Sequence, residues 1–180
     1  MFEIRFHGRG GQGGKMAAHI LAETAFLSGY QTQDFAMYGA ERRGAPVVSF
    51  TRYDKKPILE RGYIFEPDVV IVLDETLNFG IMSKGLKKFM IINSHRKSIF
   101  FKNNFKIKKK IYCIPATDIA LKIIGIQIAN TTILGGIIKL LKLPFKNLEK
   151  AIKIQLTEAG HPEAVDKNIQ AAREAYKMIK

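Results

Sequence analysis

Apolar and polar residues follow one another in a regular order at the start of the chain. Residues 2–7 alternate apolar and polar side chains, and this period of two predicts a β-strand. Residues 8–14 hold five glycines, a density that favours a loop over the interior of a strand or helix. Residues 16–27 are rich in Ala and Leu and contain neither Gly nor Pro, which predicts a helix. The chain is therefore predicted to open with a strand, a glycine loop and a helix.

The later apolar segments predict a layered α/β domain. Residues 47–53 combine β-branched and aromatic side chains, which favour a strand. Continuous apolar runs, typical of strands in a buried parallel sheet, occur at 69–73, 89–93 and 111–114. Helical patterns occur at 116–121, 129–138, 148–156 and 162–179. We therefore predict one α/β domain over residues 1–180, with three α/β/α layers, a mainly parallel sheet and a helical C-terminal third.

The composition fits a globular protein outside the membrane. Of the 180 residues, 47% are hydrophobic and 25% are charged, as in ordinary globular domains. No segment approaches the run of about 18 apolar residues that a membrane-spanning helix needs. Glu3 and Arg5 interrupt the N-terminus, so a signal peptide is not expected. The predicted location is cytoplasmic, with no membrane partner.

The sequence offers little chemistry of its own. Cys113 is the only cysteine, so the chain can form no internal disulfide and cannot ligate an iron–sulfur cluster alone. The four histidines show no metal-ligand spacing. No Ser–His–Asp motif and no paired carboxylates in an acid–base context are present. We expect no metal site, no catalytic residue and no activity of the isolated chain.

Positive charge is concentrated in one stretch. The formal net charge is +13, and ten basic residues with no acidic one lie between Lys84 and Lys110. This stretch is interpreted either as a solvated lysine-rich face, which we favour slightly, or as a surface for an acidic partner. Apolar strands interrupt it and it matches no recognition motif, so nucleic acid is not the predicted partner.

The glycine loop is predicted to bind an anion. Glycines let a ligand approach the backbone closely, and the first N–H groups of the following helix attract a phosphate. Arg9 would add mobile positive charge, and the Gln12 amide can both donate and accept hydrogen bonds. The candidate residues of this loop are Gly8, Arg9, Gly10, Gly11, Gln12 and Gly13.

Other kinds of glycine loop compete with this interpretation. Gly8-x-Gly10-x-x-Gly13 fits the dinucleotide fingerprint, which needs a ribose-binding acid at the end of a second strand. Asp34 is nearly in place, but residues 29–33 are too polar for a buried second strand. A triphosphatase phosphate loop is excluded, because Arg9 replaces a required glycine and Met16 a required Ser or Thr. A cofactor or protein interface and a tight turn without a ligand both stay open.

Two further charged segments have alternative interpretations. Glu41, Arg42 and Arg43 lie between apolar stretches and form either a solvated loop or an anion clamp or subunit contact, since arginine suits phosphate and carboxylate. Asp74 directly follows the apolar run 69–73. It either lies at the sheet edge where α/β proteins bind ligands or caps the next helix.

Four ordered blocks resemble one protein family. The sequence of Arg5–Gly13 resembles the N-terminus of the gamma subunit of pyruvate:ferredoxin oxidoreductases, within the wider 2-oxoacid:acceptor oxidoreductases. Further similar blocks are Glu41–Pro46 with the strand into Arg52, Asp68–Glu75, and Asn130–Thr131 with Leu134–Gly135. The departures are Gly14-Lys15, which makes the predicted anion site more basic, and Tyr38-Gly39-Ala40, which leaves the following turn less fixed.

The resemblance implies a multi-subunit enzyme. Such a complex oxidatively decarboxylates pyruvate with thiamine diphosphate, passes electrons through iron–sulfur clusters to ferredoxin, and forms acetyl-coenzyme A. The family holds these cofactors on other chains, so the partners of this chain would be alpha, beta and delta-type subunits. The gamma chain would complete the assembly and border the coenzyme A site. The implied binding residues are the loop residues named above with Glu41, Arg42, Arg43, Asn130 and Thr131.

Three alternatives stay open beside this function. A related complex could act on 2-oxoglutarate or a branched-chain 2-oxoacid, since the substrate pocket lies on other subunits. A stand-alone dinucleotide-binding oxidoreductase would need Asp34 to close a second strand. A non-enzymatic binding module would act through the basic stretch between Lys84 and Lys110.

Overall fold

The computed structural model describes residues 1–37 and 44–179, which form six strands and seven α-helices. The strands are β1 (Phe2–Arg9), β2 (Gln31–Ala36), β3 (Pro46–Asp54), β4 (Val69–Val72), β5 (Phe89–Asn93) and β6 (Lys110–Ile114). The helices are α1 (Gly14–Phe26), α2 (Phe79–Met82), α3 (Ser98–Phe105), α4 (Ala116–Ile123), α5 (Asn130–Leu141), α6 (Phe145–Glu158) and α7 (Val165–Met178). None of the described helices is long and apolar enough to cross a bilayer.

The six strands form one sheet in the order β2-β3-β1-β4-β5-β6. β1, β4, β5 and β6 are joined by parallel pairings, whereas β3 pairs antiparallel with both β1 and β2. Five strands therefore share one direction and β3 alone is reversed, which confirms the mainly parallel sheet. The apolar run of β4 is fully buried, as expected for a strand covered on both faces.

Helices cover both faces of the sheet. On the inner face, α1 and the C-terminal helices pack on apolar side chains of β1 and β4, including Ile4, Phe6 and Ile71. On the outer face, α2 and α3 bury Phe79 and Phe101 against β4 and β5. The two separate apolar clusters confirm the three-layer α/β/α domain and its helical C-terminal third.

The differences from the sequence prediction have simple causes. Residues 31–36 form a strand despite their polarity, because β2 lies at the sheet edge and need not bury both faces. Gly8 and Arg9 belong to β1, and Gly14 begins α1, so the true loop is shorter than the glycine-rich run suggested. α3 was not predicted, since its lysine and asparagine residues mask a single buried contact, Phe101.

Two adjacent glycines of α5 make room for different neighbours. A Cβ on Gly135 would lie 1.8 Å from the carbonyl oxygen of Ala172 in α7. A Cβ on Gly136 would instead meet the Cδ1 atom of Ile114, at 2.2 Å. Gly135 therefore allows the backbones of α5 and α7 to approach closely, because any side chain there would meet a carbonyl oxygen.

We expect Gly135→Ala to lower the free energy of unfolding by about 1–3 kcal/mol, because the helix backbones must separate. Gly136→Ala is the matched control, since the side-chain end of Ile114 can rotate away and alanine favours the helix. Urea denaturation of both variants measures the difference. A loss in Gly135→Ala no greater than that in Gly136→Ala would contradict the need for close backbone approach at position 135.

A buried arginine organises the outer face. Arg5 of β1 donates to the carbonyl oxygens of Ile64 and Phe65 (3.2 and 3.0 Å) and to those of Met82 and Lys84 (3.1 and 2.7 Å). Its Nε also donates to Nε2 of His7 at 3.0 Å, which requires a neutral imidazole. Burial, together with the Arg5 charge, lowers the pKa of His7 to about 3.

The His7 imidazole should make stability depend on pH. Because the pKa of His7 is lower in the folded chain, the unfolded chain takes up a proton that the folded chain refuses as pH falls below about 6.5. Between pH 7 and pH 5 this uptake should lower the free energy of unfolding by about 2 kcal/mol. Denaturation of wild type, His7→Gln and the exposed control His161→Gln at both pH values isolates the effect. A loss of similar size in His7→Gln would contradict it.

Candidate functional site

The glycine loop connects β1 to α1 through two left-handed residues. Gly11 has a φ of 93° and Gly13 a φ of 72°, conformations that a residue with a Cβ adopts only with strain. Gly13 is the N-cap of α1 and supplies no side-chain cap. A Cβ there would also lie 2.3 Å from Nδ2 of Asn130, the first residue of α5. Glycine is therefore required at position 13 by both conformation and space.

Backbone hydrogen bonds attach the loop to the start of β3. The Gly10 N–H donates to the Ala45 carbonyl at 2.8 Å, and the Gly44 N–H donates to the Gly10 carbonyl at 3.1 Å. Nη1 of Arg9 donates to the Gly44 carbonyl at 3.1 Å. The loop is thus held on the side of β3 as well as by its two ends.

Asp74 ties the loop to the end of β4. Its Oδ2 atom accepts from Nε of Arg9 and from Nε2 of Gln12, both at 3.0 Å. Oε1 of Gln12 in turn accepts from the Arg9 N–H at 2.7 Å, and Nη2 of Arg9 donates to the Thr76 hydroxyl at 2.8 Å. Arg9 is therefore held in place by the protein, not mobile as the sequence suggested, and Gln12 both donates and accepts as expected.

The same contacts set the charge state of Asp74. Burial alone would raise the pKa of its carboxyl, but hydrogen bonds from Thr76 and Gln12 and the charge of Arg9 lower the pKa below its ordinary value. The backbone N–H and the hydroxyl of Thr76 both donate to Oδ1 of Asp74. It does not cap the next helix, because α2 begins later and is capped by Asn78.

A cleft of about 1080 Å³ opens beside the loop. It lies between the glycine loop, the first turn of α1, β2, the start of β3 and α6. Its lining residues are Arg9, Gly10, Gly11, Gly13, Gly14, Lys15, Met16, His19, Asp34, Val47 and Gln155. The first turn of α1 carries no acidic residue, so its positive dipole end faces the cleft without an internal counter-charge.

Asp34 lines this cleft but does not complete a dinucleotide fold. Its Oδ1 atom lies 3.0 Å from Nδ1 of His19, which engages the carboxylate. β3 separates β2 from β1 and runs antiparallel to both, whereas the dinucleotide fold pairs its first two strands in parallel. The fingerprint spacing of Gly8, Gly10 and Gly13 therefore occurs without the strand arrangement that makes it functional.

A second, smaller pocket of about 240 Å³ lies at the carboxyl ends of β4, β5 and β6. Nδ2 of Asn93 donates to the Leu73 carbonyl at 2.9 Å and to the Thr117 hydroxyl at 2.7 Å. The Ser94 hydroxyl donates to Glu75. These polar groups are hydrogen-bonded to one another, so the bonds within the pocket hold the ends of the strands together.

The structure brings only part of the predicted site together. Arg9, Gly10, Gly11 and Gly13 line the cleft, whereas Gln12 turns to Asp74 and Gly8 lies under Leu73 and Gln12. Asn130 lies behind the loop against Gly13. Glu41, Arg42 and Arg43 lie outside the described residues, as do Tyr38, Gly39 and Ala40.

The structure places Thr131, one of the predicted binding residues, away from the cleft. Its side chain is 1% exposed, and its hydroxyl donates to Oδ1 of Asn168 in α7. Its N–H donates to the side chain of Asn130. Thr131 therefore stabilises the packing of α5 on α7 and does not reach the cleft.

Several cleft residues could not be identified from the sequence. His19 and Met16 lie half-buried on α1 with no distinguishing motif, and Gln155 comes from α6, far along the chain. Asp74 was found, because it follows a buried strand at the ligand-binding edge. Asp74 also forms a turn, in which its side chain accepts a hydrogen bond from the backbone N–H of Thr76, two residues later. The Asp residue itself was the available signal for this turn, because Asp side chains commonly accept from the backbone two residues on.

The basic stretch between Lys84 and Lys110 is partly neutralised. Lys88 lies 3.2 Å from Asp68, Lys87 lies 3.7 Å from Glu66, and Arg96 lies 3.7 Å from Glu75. Such exposed pairs contribute little stability but reduce the local field. The choice between a solvated face and an acidic partner stays open.

Comparison with known proteins gives consistent matches over the full chain. Residues 3–178 match the family described as Pyruvate ferredoxin/flavodoxin oxidoreductase. The chain is 47% identical over 181 residues to the Pyruvate/ketoisovalerate oxidoreductases common subunit gamma of Pyrococcus furiosus, covering 98% of this chain and 96% of that protein. It is 42% identical to the Pyruvate synthase subunit PorC of Methanothermobacter marburgensis, covering 100% of this chain and 98% of that protein.

A solved structure shares the architecture. The crystal structure of pyruvate oxidoreductase subunit PORC from Thermotoga maritima matches with a TM-score of 0.84 and 36% identity. The match covers 98% of this chain and 95% of that one. The α/β fold is therefore confirmed by an experimentally determined relative.

The Asp74 contacts should be measurable as stability. We expect Asp74→Asn to lower the free energy of unfolding at pH 7 by about 1–3 kcal/mol, because Arg9 and Gln12 lose a charged acceptor. Since the pKa of Asp74 is lowered on folding, its contribution is present above the unfolded pKa and disappears as pH falls through the folded pKa. Denaturation across this pH range tests both points. Glu158→Gln, at an exposed acid on α6, is the control and should change little.

Proposed function

The chain belongs to the pyruvate ferredoxin/flavodoxin oxidoreductase family, and we propose that it serves as the gamma subunit of a complex that oxidises pyruvate. In this proposal the complex decarboxylates pyruvate, reduces ferredoxin and transfers the acetyl group to coenzyme A. The main support is the end-to-end match to relatives named as gamma or PorC subunits.

A branched-chain 2-oxoacid is the second candidate substrate. The relative from Pyrococcus furiosus is named as a subunit common to pyruvate and ketoisovalerate oxidoreductases. A shared subunit would need no contact that distinguishes the two substrates. The proposed gamma chain is therefore compatible with either 2-oxoacid, and the other subunits would select between them.

The proposal assigns the redox chemistry to other chains. A cluster with four cysteine ligands cannot be built from one cysteine, and burial raises the pKa of the Cys113 thiol to about 11. Among the described residues, no three His, Cys, Asp or Glu side chains converge as metal ligands. Thiamine diphosphate and iron–sulfur clusters would thus belong to alpha, beta and delta-type subunits, with ferredoxin docking elsewhere on the assembly.

We assign the cleft beside the glycine loop to the phosphate groups of coenzyme A. The N-terminus of α1 faces it, Gly13 caps that helix without a side chain, and Lys15 lies on the rim. The volume of about 1080 Å³ is sufficient for a cofactor-sized ligand. Coenzyme A supplies the thiol that accepts the acyl group.

The residues of this chain would bind and orient the cofactor. Asp74 holds the Arg9 guanidinium at the cleft in a fixed position, so little side-chain entropy is lost when an anion arrives. In this assignment the contacts would be made to the phosphate groups of coenzyme A and not to its thiol. Losing such a contact weakens binding of ground state and transition state alike, which raises KM and leaves kcat unchanged.

Steady-state kinetics of the reconstituted complex test this assignment. We expect Lys15→Gln to raise the KM for coenzyme A about three- to tenfold, as when one partly exposed charge contact is lost. The KM for pyruvate and kcat should stay unchanged. Lys167→Gln, at an exposed lysine on α7, is the matched control. Unchanged kinetics with coenzyme A would remove the cleft from the coenzyme A site, whereas a raised KM for pyruvate would reassign it.

A further inference from the structure

β2 is the last strand at one end of the sheet, and its free hydrogen-bonding edge is open. β2 pairs with β3 only, and among the described residues no strand lies on its other side. The Met37 N–H donates to the Val48 carbonyl at 2.9 Å, which fixes the alternation of the antiparallel ladder. The N–H and carbonyl groups of Thr32, Asp34 and Ala36 consequently point to the open edge. Such an edge can accept a further strand.

A cleft of about 440 Å³ lies between this edge and residues 57–66, the segment that crosses the outer face after β3. Its lining residues are Gln33, Asp34, Phe35, Arg52, Arg61 and Gly62. It contains no residue of the glycine loop. The cleft is therefore distinct from the proposed coenzyme A site, although Asp34 borders both.

Arg52 is a buried and incompletely paired cation in this cleft. It is 2% exposed, and its Nη2 atom donates to the Gly62 carbonyl at 3.1 Å and lies 3.4 Å from Oε1 of Glu3. Its Nε and Nη1 atoms are buried and have no hydrogen-bond partner among the described residues, and the guanidinium lies over the Phe35 ring, 5.2 Å from its centroid. Buried donors without acceptors are unfavourable, so an acceptor that entered the cleft would gain hydrogen bonds from the unbonded N–H groups of Arg52. Arg61 provides a second, exposed guanidinium at the same cleft.

Large apolar side chains surround the cleft. Leu59 is 80% exposed, Phe65 is 74% exposed and Tyr63 is 45% exposed. The rings of Phe35, Phe50 and Tyr63 stack in one row, with centroids 4.9 and 5.6 Å apart, which joins the cleft wall to this apolar surface. A small anion would leave these side chains in water, whereas a protein segment would cover them.

The apolar segment is held rigidly in its outward orientation. Arg5 binds the carbonyls of Ile64 and Phe65, and Arg52 binds that of Gly62. Nε2 of Gln33 donates to the Ile58 carbonyl at 3.3 Å. Charged and amide side chains of the sheet thus fix the backbone, while apolar side chains face outward. A surface that is already ordered loses little entropy on binding.

We propose that the open edge of β2 and residues 57–66 form a docking surface for an extended segment of another subunit of the oxidoreductase. The segment adds a strand to β2, places apolar side chains on Leu59 and Phe65, and inserts a carboxylate between Arg61 and Arg52. The complementarity of a buried cation with an acidic side chain selects the partner chemistry. This inference rests on membership of a multi-subunit family and is independent of the coenzyme A assignment.

The test is the affinity of the purified chain for the complex of the remaining subunits, measured by biolayer interferometry at low and high salt. Arg61→Glu and Leu59→Asp should each weaken binding at least about tenfold, because both remove exposed contacts at the centre of the surface. The loss in Arg61→Glu should be greater at low salt. Lys167→Glu is the matched charge reversal on α7 and should bind within about twofold of wild type.

Thermal denaturation first checks that each variant folds like wild type, which is expected because both side chains are exposed. Wild-type affinity of both folded variants would overturn the proposal. Stabilisation of wild type but not Arg61→Glu by citrate, with unchanged subunit binding, would show a small-anion site instead. Dimerisation of the isolated wild-type chain that Leu59→Asp abolishes, again with unchanged subunit binding, would assign the surface to a second copy of this chain. Coenzyme A kinetics of Lys15→Gln report on the other site separately.

Discussion

The carboxylate of Asp74 connects the ends of β1 and β4. These neighbouring strands mark the point at which the chain, having built one side of the sheet, begins to build the other. Its Oδ2 atom binds Arg9 at the end of β1 and Gln12 in the glycine loop, while Asp74 itself follows β4. From β1 the chain runs through α1 toward β2 and β3, and β4 begins the parallel half on the other side. In α/β sheets this is the place where ligands bind. This charged group, together with the backbone bonds from the loop to Gly44 and Ala45, therefore sets the position of the loop and of the α1 N-terminus beside the cleft.

Buried arginines perform a related task on the outer face. Arg5 and Arg52 lie on neighbouring strands, and both bind backbone carbonyls of residues 57–66. Arg5 donates to four carbonyl oxygens and to His7. Burial lowers the pKa of the Arg5 guanidinium, and the carbonyl bonds hold it without an acidic partner among the described residues. Carbonyl dipoles can stabilise a buried guanidinium when their geometry is fixed. A long crossing segment without regular structure is thereby made part of the rigid domain.

The sequence was informative where one physical requirement dominates. β4 and β5 need apolar side chains on both faces, so their runs revealed the parallel sheet. The glycine loop needs positive φ at Gly11 and Gly13, so its composition revealed the turn. β2 escaped prediction because an edge strand tolerates polar residues. The burial of Thr131 could not be predicted because a motif does not distinguish a ligand contact from a buried hydroxyl. The fixed position of Arg9 could not be predicted because its partner Asp74 is remote in sequence.

Asp34 connects the two surfaces that flank β2. Its residue borders the large cleft on the α1 side, where its carboxylate holds His19, and also borders the smaller cleft beside Arg52. The two clefts lie on either side of the same edge strand. A segment that paired with the open edge of β2 would therefore run along the margin of both clefts. Such pairing would bring the partner segment close to Asp34, the one described residue that both clefts share. On the two proposals above, this chain with its single cysteine would contribute an ordered surface on which a ligand site is completed together with another subunit.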